Sequence, residues 1–124
     1  MIHLDTNYLI GLLVRGSPEA AKVDQWLASG EALAASAIAW TEFINGPVTA
    51  SEVSQVEIVL QSQIVPFGKA EAMLAADLFN KSGRRRGSRF DCLIAATAIL
   101  HQAGFATVNQ SDFKGFTTHG LKLL

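Results

Sequence analysis

The alternation of very short apolar runs with longer segments of helical period most constrains how this chain can fold. Met1-Ile2-His3-Leu4 is a strand-like run, closed by the turn- and cap-forming Asp5-Thr6-Asn7 and followed by helix-like Tyr8 to Val14. Ser17-Pro18-Glu19 carries a capping serine with proline at the first helical position, and Ala20, Val23, Trp26 and Leu27 then recur at helical spacing up to Gly30. Ala32 to Ser36 reads as a short buried strand, and Ile38 to Ile44 as a helix stopped by Asn45-Gly46-Pro47. Thr49 and Glu52 have capping-box spacing ahead of the stripe Val53, Val56, Val59 and Leu60. Gln63 to Phe67 is expected to be a strand, Ala70 to Phe79 a helix, and Lys81 to Ser88 a Gly- and Arg-rich break. A long helix is expected from Arg89 to Ala103, ended by Gly104. Phe105 to Val108 then reads as a strand, Asn109 to Asp112 as a polar turn, and Leu121 to Leu124 as an edge strand.

Strands of this length cannot pair in parallel without a crossover, and here each crossover is a helix. The pattern therefore predicts an α/β fold with a mainly parallel central sheet and helices on both faces. Ligands of such sheets sit beyond the strand C-terminal ends. Asp5 ends the first strand and Asp112 follows a later one, so both are placed to face one crevice.

The 124 residues, 49% hydrophobic, suffice for one domain, 1–124, with a single core. The apolar stretch Tyr8 to Val14 has neither the length of a membrane span nor the basic flank of a signal peptide, and a cytoplasmic location is the expectation. The lone Cys92 allows no internal disulfide and no cysteine pair for zinc, and reads as a small buried hydrophobe. A net charge of −1 argues against a protein that binds polyanions with its whole surface. Arg84, Arg85, Arg86 and Arg89 hold four of the ten basic residues, leaving six basic against eleven acidic residues elsewhere, a balance of −5. Positive charge is concentrated in one place.

Four acids occupy unusual positions: Asp5 after an apolar strand, Glu42 between Trp40 and Phe43, Asp91 ahead of a very apolar helix, and Asp112 before Phe113. Each has an ordinary account. Asp5 and Asp112 suit caps or turns, Ser88 and Asp91 have the spacing of a capping pair, and Glu42 could sit on a wet helical face. Taken together, they are the oxygen donors that hard divalent cations select. At a separation of about 4 Å each like-charge pair would cost about 1 kcal/mol in water and about 4 kcal/mol at an effective dielectric of 20, so a bound cation should stabilise the fold.

Leu4-Asp5-Thr6-Asn7, Thr41-Glu42-Phe43, Asp91 with Ile94-Ala95-Ala96-Thr97-Ala98, and Asn109-Gln110-Ser111-Asp112-Phe113 occur in the order and spacing of the four motifs of the PIN domain family. The chain resembles that family along essentially its whole length, in particular the VapC-like toxin ribonucleases of type II toxin–antitoxin systems. The resemblance implies a three-layer α/β/α domain that hydrolyses RNA with magnesium or manganese, Mg2+ or Mn2+, by in-line attack of metal-activated water, leaving a 5′ phosphate and a 3′ hydroxyl. It implies Asp5, Glu42, Asp91 and Asp112 as the acidic quartet. Asp5, Asp91 and Asp112 would touch the metal and Glu42 would act through water, with Thr6, Asn7, Asn109 and Ser111 in support. A cognate antitoxin and a homodimer are the implied partners.

Arg84, Arg85, Arg86 and Arg89 are candidate RNA-backbone contacts, Arg89 foremost because it lies nearest Asp91; a solvated loop or an antitoxin contact is the alternative. His3, His101 and His119 offer no paired ligand spacing, and Trp26, Trp40 and Phe43 read as core or interface residues more readily than as base-stacking ones. An aspartyl-phosphate phosphotransferase is disfavoured because Asp5-Thr6-Asn7 lacks a second aspartate two residues on, and no phosphate-binding glycine loop is present. The main competing function is a PIN-like module that binds RNA or protein without cutting.

Overall fold

A computed structural model describes all residues 1–124. Five strands form one sheet: β1 (Ile2–Leu4), β2 (Leu33–Ser36), β3 (Ile64–Val65), β4 (Gly104–Ala106) and β5 (Lys122–Leu123), in the spatial order β3-β2-β1-β4-β5. Every pairing is parallel, with Ile2 opposite both Leu33 and Gly104, and Leu4 opposite Ala106. All residues of β1 and β2 are buried, as strands covered on both faces must be, and the fold is the three-layer α/β/α arrangement. The edge strand at the C-terminus is found at Lys122–Leu123.

Between β1 and β2 run α1 (Thr6–Gly11) and α2 (Pro18–Ala28); between β2 and β3, α3 (Ala37–Ile44) and α4 (Ala50–Val59); between β3 and β4, α5 (Lys69–Lys81) and α6 (Arg89–Leu100). A short α7 (Gln110–Phe113) and a 3-10 turn at Lys114–His119 lead to β5. The core is one cluster of 23 buried residues. Its centre is α6, where Ala95, Ala96 and Ala98 are fully buried; their small side chains let the helix lie close against its neighbours.

Local rules placed several boundaries correctly. The Ser17 hydroxyl accepts from the Ala20 amide at 3.0 Å, and Thr49 and Glu52 form the reciprocal capping box. Others differ for reasons that lie outside the local sequence. Helix α1 starts at Thr6, because Asp5 caps it, and stops at Gly11, whose carbonyl is taken by the Ser17 hydroxyl at 2.7 Å. Helix α6 ends at Leu100, with Gln102 in the left-handed region at φ 52°, so Gly104 does not stop the helix but opens β4. The expected strand 63–67 is reduced to Ile64–Val65, followed by Pro66, and the expected strand 105–108 lies at 104–106. The polar turn at 109–112 becomes the start of α7.

Candidate active site

In a β3-β2-β1-β4-β5 sheet the chain reverses its direction of travel between β1 and β4. The crevice beyond the C-terminal ends of those two strands is where open α/β sheets place ligands. Asp5 sits there, immediately after β1, its amide bonded to the Ala106 carbonyl of β4 at 2.9 Å. It is buried, and both carboxylate oxygens are engaged: Oδ1 accepts from the Thr6 amide at 2.8 Å and Oδ2 from the Thr107 hydroxyl at 2.7 Å. The Thr6 hydroxyl in turn donates to Glu42 Oε1 at 2.7 Å, tying α3 to the end of β1.

Asp91 lies in the first turn of α6 and Asp112 in α7. The capping account of Asp91 does not hold: Ser88 makes no side-chain cap, and its hydroxyl donates instead to the Arg85 carbonyl at 2.7 Å. Asp112 keeps a half-exposed carboxylate 3.9 Å from the Arg85 guanidinium, which also donates to the Asp112 carbonyl oxygen at 3.1 Å. Arg85, Arg86, Gly87, Ser88, Asp91 and Asp112 line a wholly polar cavity of about 130 Å3.

Asp5 and Asp91 feel the charge of neighbouring acids. Burial pushes the Asp5 carboxyl up, against the hydrogen bonds from Thr107 and Thr6, and the charges of Glu42 and Asp112 push it further. Asp91 is pushed up to about 6, first by burial and then by Asp5 and Asp112, with Glu42 adding a smaller share and Arg85 opposing them. No three His, Cys, Asp or Glu side chains stand in ready-made ligand geometry. The carboxylates are neighbours in charge while their individual oxygens are held by Thr6, Thr107 and Arg85.

The donor set is nevertheless the one a hard divalent cation takes: several carboxylates and hydroxyls, with no thiolate in the crevice. Burial first, and then repulsion from neighbouring acids, penalises ionisation of Asp5 and Asp91, and a cation is the counter-charge that relieves it. The residues fit such an ion.

The supporting residues divide. Thr6 bridges Asp5 and Glu42, and the Asn109 amide donates to the Thr107 hydroxyl at 3.0 Å. Ser111 lines a second small cavity beside Asp112 and Arg85, while the Asn7 side chain is exposed and forms no hydrogen bond within the chain. Thr107 is absent from the sequence-derived set. Its signal is a hydroxyl residue at the end of an apolar strand, two positions before Asn109. The arginines divide as well: Arg85 and Arg86 line the cavity of Asp91 and Asp112, whereas Arg84 and Arg89 lie over the Phe79 ring at 5.1 and 4.3 Å. Arg89 is nearest Asp91 in sequence, yet Arg85 is the arginine that contacts the acidic cluster.

Fold and crevice together define the class: a wholly parallel α/β/α domain with an acidic crevice at its topological switch point. The PIN domain family model matches residues 2–116, and the chain belongs to the PIN domain family. Comparison with curated proteins gives no match. Among solved structures, the chain is similar to a toxin–antitoxin complex from Klebsiella pneumoniae at 25% identity and a TM-score of 0.74, covering 100% of this chain and 96% of that one. It is also similar to FitAcB from Neisseria gonorrhoeae at 24% identity and a TM-score of 0.73, covering 100% and 96%. VapBC2 from Rickettsia felis, bound to a DNA fragment from its promoter, matches at 24% identity and a TM-score of 0.70, covering 100% and 98%.

Proposed function

We propose that this protein is the toxin of a toxin–antitoxin pair, an endoribonuclease that depends on Mg2+ or Mn2+ and works through Asp5, Glu42, Asp91 and Asp112. The observation that supports this reading is the hydrogen-bonded chain Glu42–Thr6–Asp5–Thr107 at the switch point of a PIN fold, together with the polar cavity that Asp91 and Asp112 line.

Asp5, Asp91 and Asp112 would hold the cation, which supplies Lewis acidity toward a phosphodiester and lowers the pKa of bound water. The chain's own residues do the rest. Thr107 and the Thr6 amide fix the two oxygens of Asp5, and the Thr6 hydroxyl fixes Glu42, so the carboxylates keep their orientation as substrate arrives. Glu42 retains a second oxygen as a proton acceptor. Arg85 and Arg86, on the wall shared with Asp91 and Asp112, hold an RNA backbone phosphate without reading sequence. Arg85 then exchanges a solvent-screened contact with Asp112 for one with phosphate.

A cognate antitoxin fits both the family and the toxin–antitoxin structures it resembles. Ile10, Val14, Leu27 and Ile58 on α1, α2, α4 and their margins are exposed, more apolar surface than one small core absorbs, which supports an antitoxin groove and a homodimer. No helix is long and apolar enough to cross a membrane.

The direct test is incubation of purified, antitoxin-free protein with a pool of structured cellular RNAs, with and without Mn2+ or Mg2+, beside Asp5→Asn. Metal-dependent cleavage by the wild type and none by the folded variant is the expected result. RNA binding without cleavage under all conditions would replace this reading with the non-cutting PIN-like module.

A further inference from the structure

Phe90 opens onto water in the first turn of α6, a helix whose middle is buried. It is 58% exposed, while Cys92 and Ile94 to Ala98 of the same helix are core residues. It takes part in none of the chain's aromatic pairs. With Ile38, Thr41, Glu42 and Asn45 of α3 and its C-terminal cap, it lines a cavity of about 390 Å3, within the range of about 300 to 1,000 Å3 usual for small-ligand sites. Glu42 is shared between this cavity and the acidic cluster, and Phe90 directly precedes Asp91 in the chain. The cavity therefore borders the proposed hydrolytic centre, through a wall different from the one that carries Arg85 and Arg86.

We propose that this cavity is a nucleobase subsite, in which one base beside the cleaved phosphodiester stacks on Phe90 and presents its edge to Asn45; the proposal rests on the ribonuclease reading above. Three features favour a base. The cavity offers a flat aromatic face and an aliphatic neighbour, Ile38, which suit the face of any base. Its polar groups are mostly committed elsewhere: the Thr41 hydroxyl donates to the Ala37 carbonyl at 2.8 Å and Glu42 Oε1 accepts from Thr6. The Asn45 side-chain carboxamide makes no hydrogen bond within the chain, only its backbone N–H being bonded, to the Thr41 carbonyl at 3.0 Å, which leaves a side-chain donor and acceptor side by side for the edge of a base. No cation lines this cavity, whereas Arg85 and Arg86 line the other. The backbone phosphate thus has its counter-charge on one side of Asp91, and the uncharged base has its platform on the other.

An apolar antitoxin side chain is the competing occupant, and the test separates the two. Cleavage sites are mapped on a pool of single-stranded oligoribonucleotides with Mn2+. One cut oligonucleotide is then resynthesised with an abasic ribose at each position flanking the cut. Phe90→Ala should raise KM on the intact oligonucleotide about tenfold, the loss of one stacked base, with a much smaller change in kcat, while Phe90→Trp keeps KM near that of the wild type. At one flanking position, removal of the base should cost the wild type the same factor and cost Phe90→Ala nothing further. Asn45→Leu should weaken the preference for base identity at that position. A KM for Phe90→Ala within twofold of wild type, or an equal penalty on intact and abasic substrates, overturns the subsite. So does a loss confined to antitoxin binding. If the wild type cuts no RNA, the ribonuclease reading fails first and this one with it; if the wild type cuts and Phe90→Ala matches it, only the subsite fails.

Discussion

Asp5 is held by a buried residue that carries no charge. The Thr107 hydroxyl gives its proton to Asp5 Oδ2 and receives one from the Asn109 amide, so a single side chain aligns the end of β1 with the start of α7. The same bond lowers the Asp5 pKa against the upward pressure of burial. Thr107→Val should therefore reduce kcat about tenfold, in the range usual for groups that orient a metal ligand, and shift the acid limb of the rate profile to higher pH; Thr107→Ser should restore both. A pH profile unchanged in Thr107→Val would show that Thr107 serves packing alone. The positions of Asp5 at the end of β1 and Glu42 inside α3 were legible in their neighbours, Leu4 and Thr6 around Asp5, Trp40 and Phe43 around Glu42. Thr107 was not, because its partner is 102 residues away. The roles of the arginines were equally hidden: Arg84 adopts φ 53° and Gly83 and Gly87 also take positive φ, and this winding sends Arg84 and Arg89 toward Phe79 and Arg85 toward Asp112.

Helix boundaries depend on which carbonyl claims which hydroxyl. Ser17 caps α2 and closes α1 at once, accepting from Ala20 and donating to the Gly11 carbonyl. Ser17→Ala should cost about 1 to 2 kcal/mol in denaturant unfolding, since it removes a cap and one of the two hydrogen bonds to the Gly11 carbonyl, the other coming from the Val14 amide. At Gly11 a Cβ would lie 2.7 Å from Glu19 Cβ, where α1 meets α2. Gly11→Ala should destabilise by about 1 to 3 kcal/mol, with overpacking outweighing the gain in helix propensity, and an unchanged unfolding midpoint would refute that. Capping rules succeeded at Ser17 and Thr49 because donor and acceptor lie within one turn. They failed at Ser88 because the Arg85 carbonyl, part of a loop wound by two glycines, captures the hydroxyl first. That capture matters to the site: Ser88 and Asp91 are not bound into a capping pair.

The parallel sheet follows from strand–helix alternation, which the sequence displays openly. The pairing order does not, and only β1 beside β4 brings Asp5 to Thr107 and Asp112. The same pairing buries His3, whose two ring nitrogens lack partners and whose ring lies 5.7 Å from His101, a pairing invisible in their spacing. Two titrations then oppose each other in the metal-free chain. Burial first, then the charges of His101 and the N-terminus, lower His3 from 6.5 to about 4. As pH falls through that interval, the unfolded chain takes a proton that the fold refuses, and stability drops. Asp91, raised from 3.8 to about 6, acts the other way: between those values the fold keeps a proton that the unfolded chain has lost, so its contribution to stability falls as pH rises. In Asp91→Asn only the His3 slope should remain of the two. Urea midpoints measured in chelator should rise from pH 4 to 6.5 more steeply than those of the wild type, and parallel curves would refute the assignment.

Four acids from separate elements are proposed to form one hydrolytic centre. Single-turnover cleavage of one RNA substrate at fixed Mn2+ by the wild type, Asp5→Asn, Asp91→Asn and the double variant decides whether they act together. Residues that act as a unit lose their function together, so the double variant should cut no more slowly than the slower single. Losses that simply multiply, or a single variant that still cuts at the wild-type rate, would contradict a shared centre.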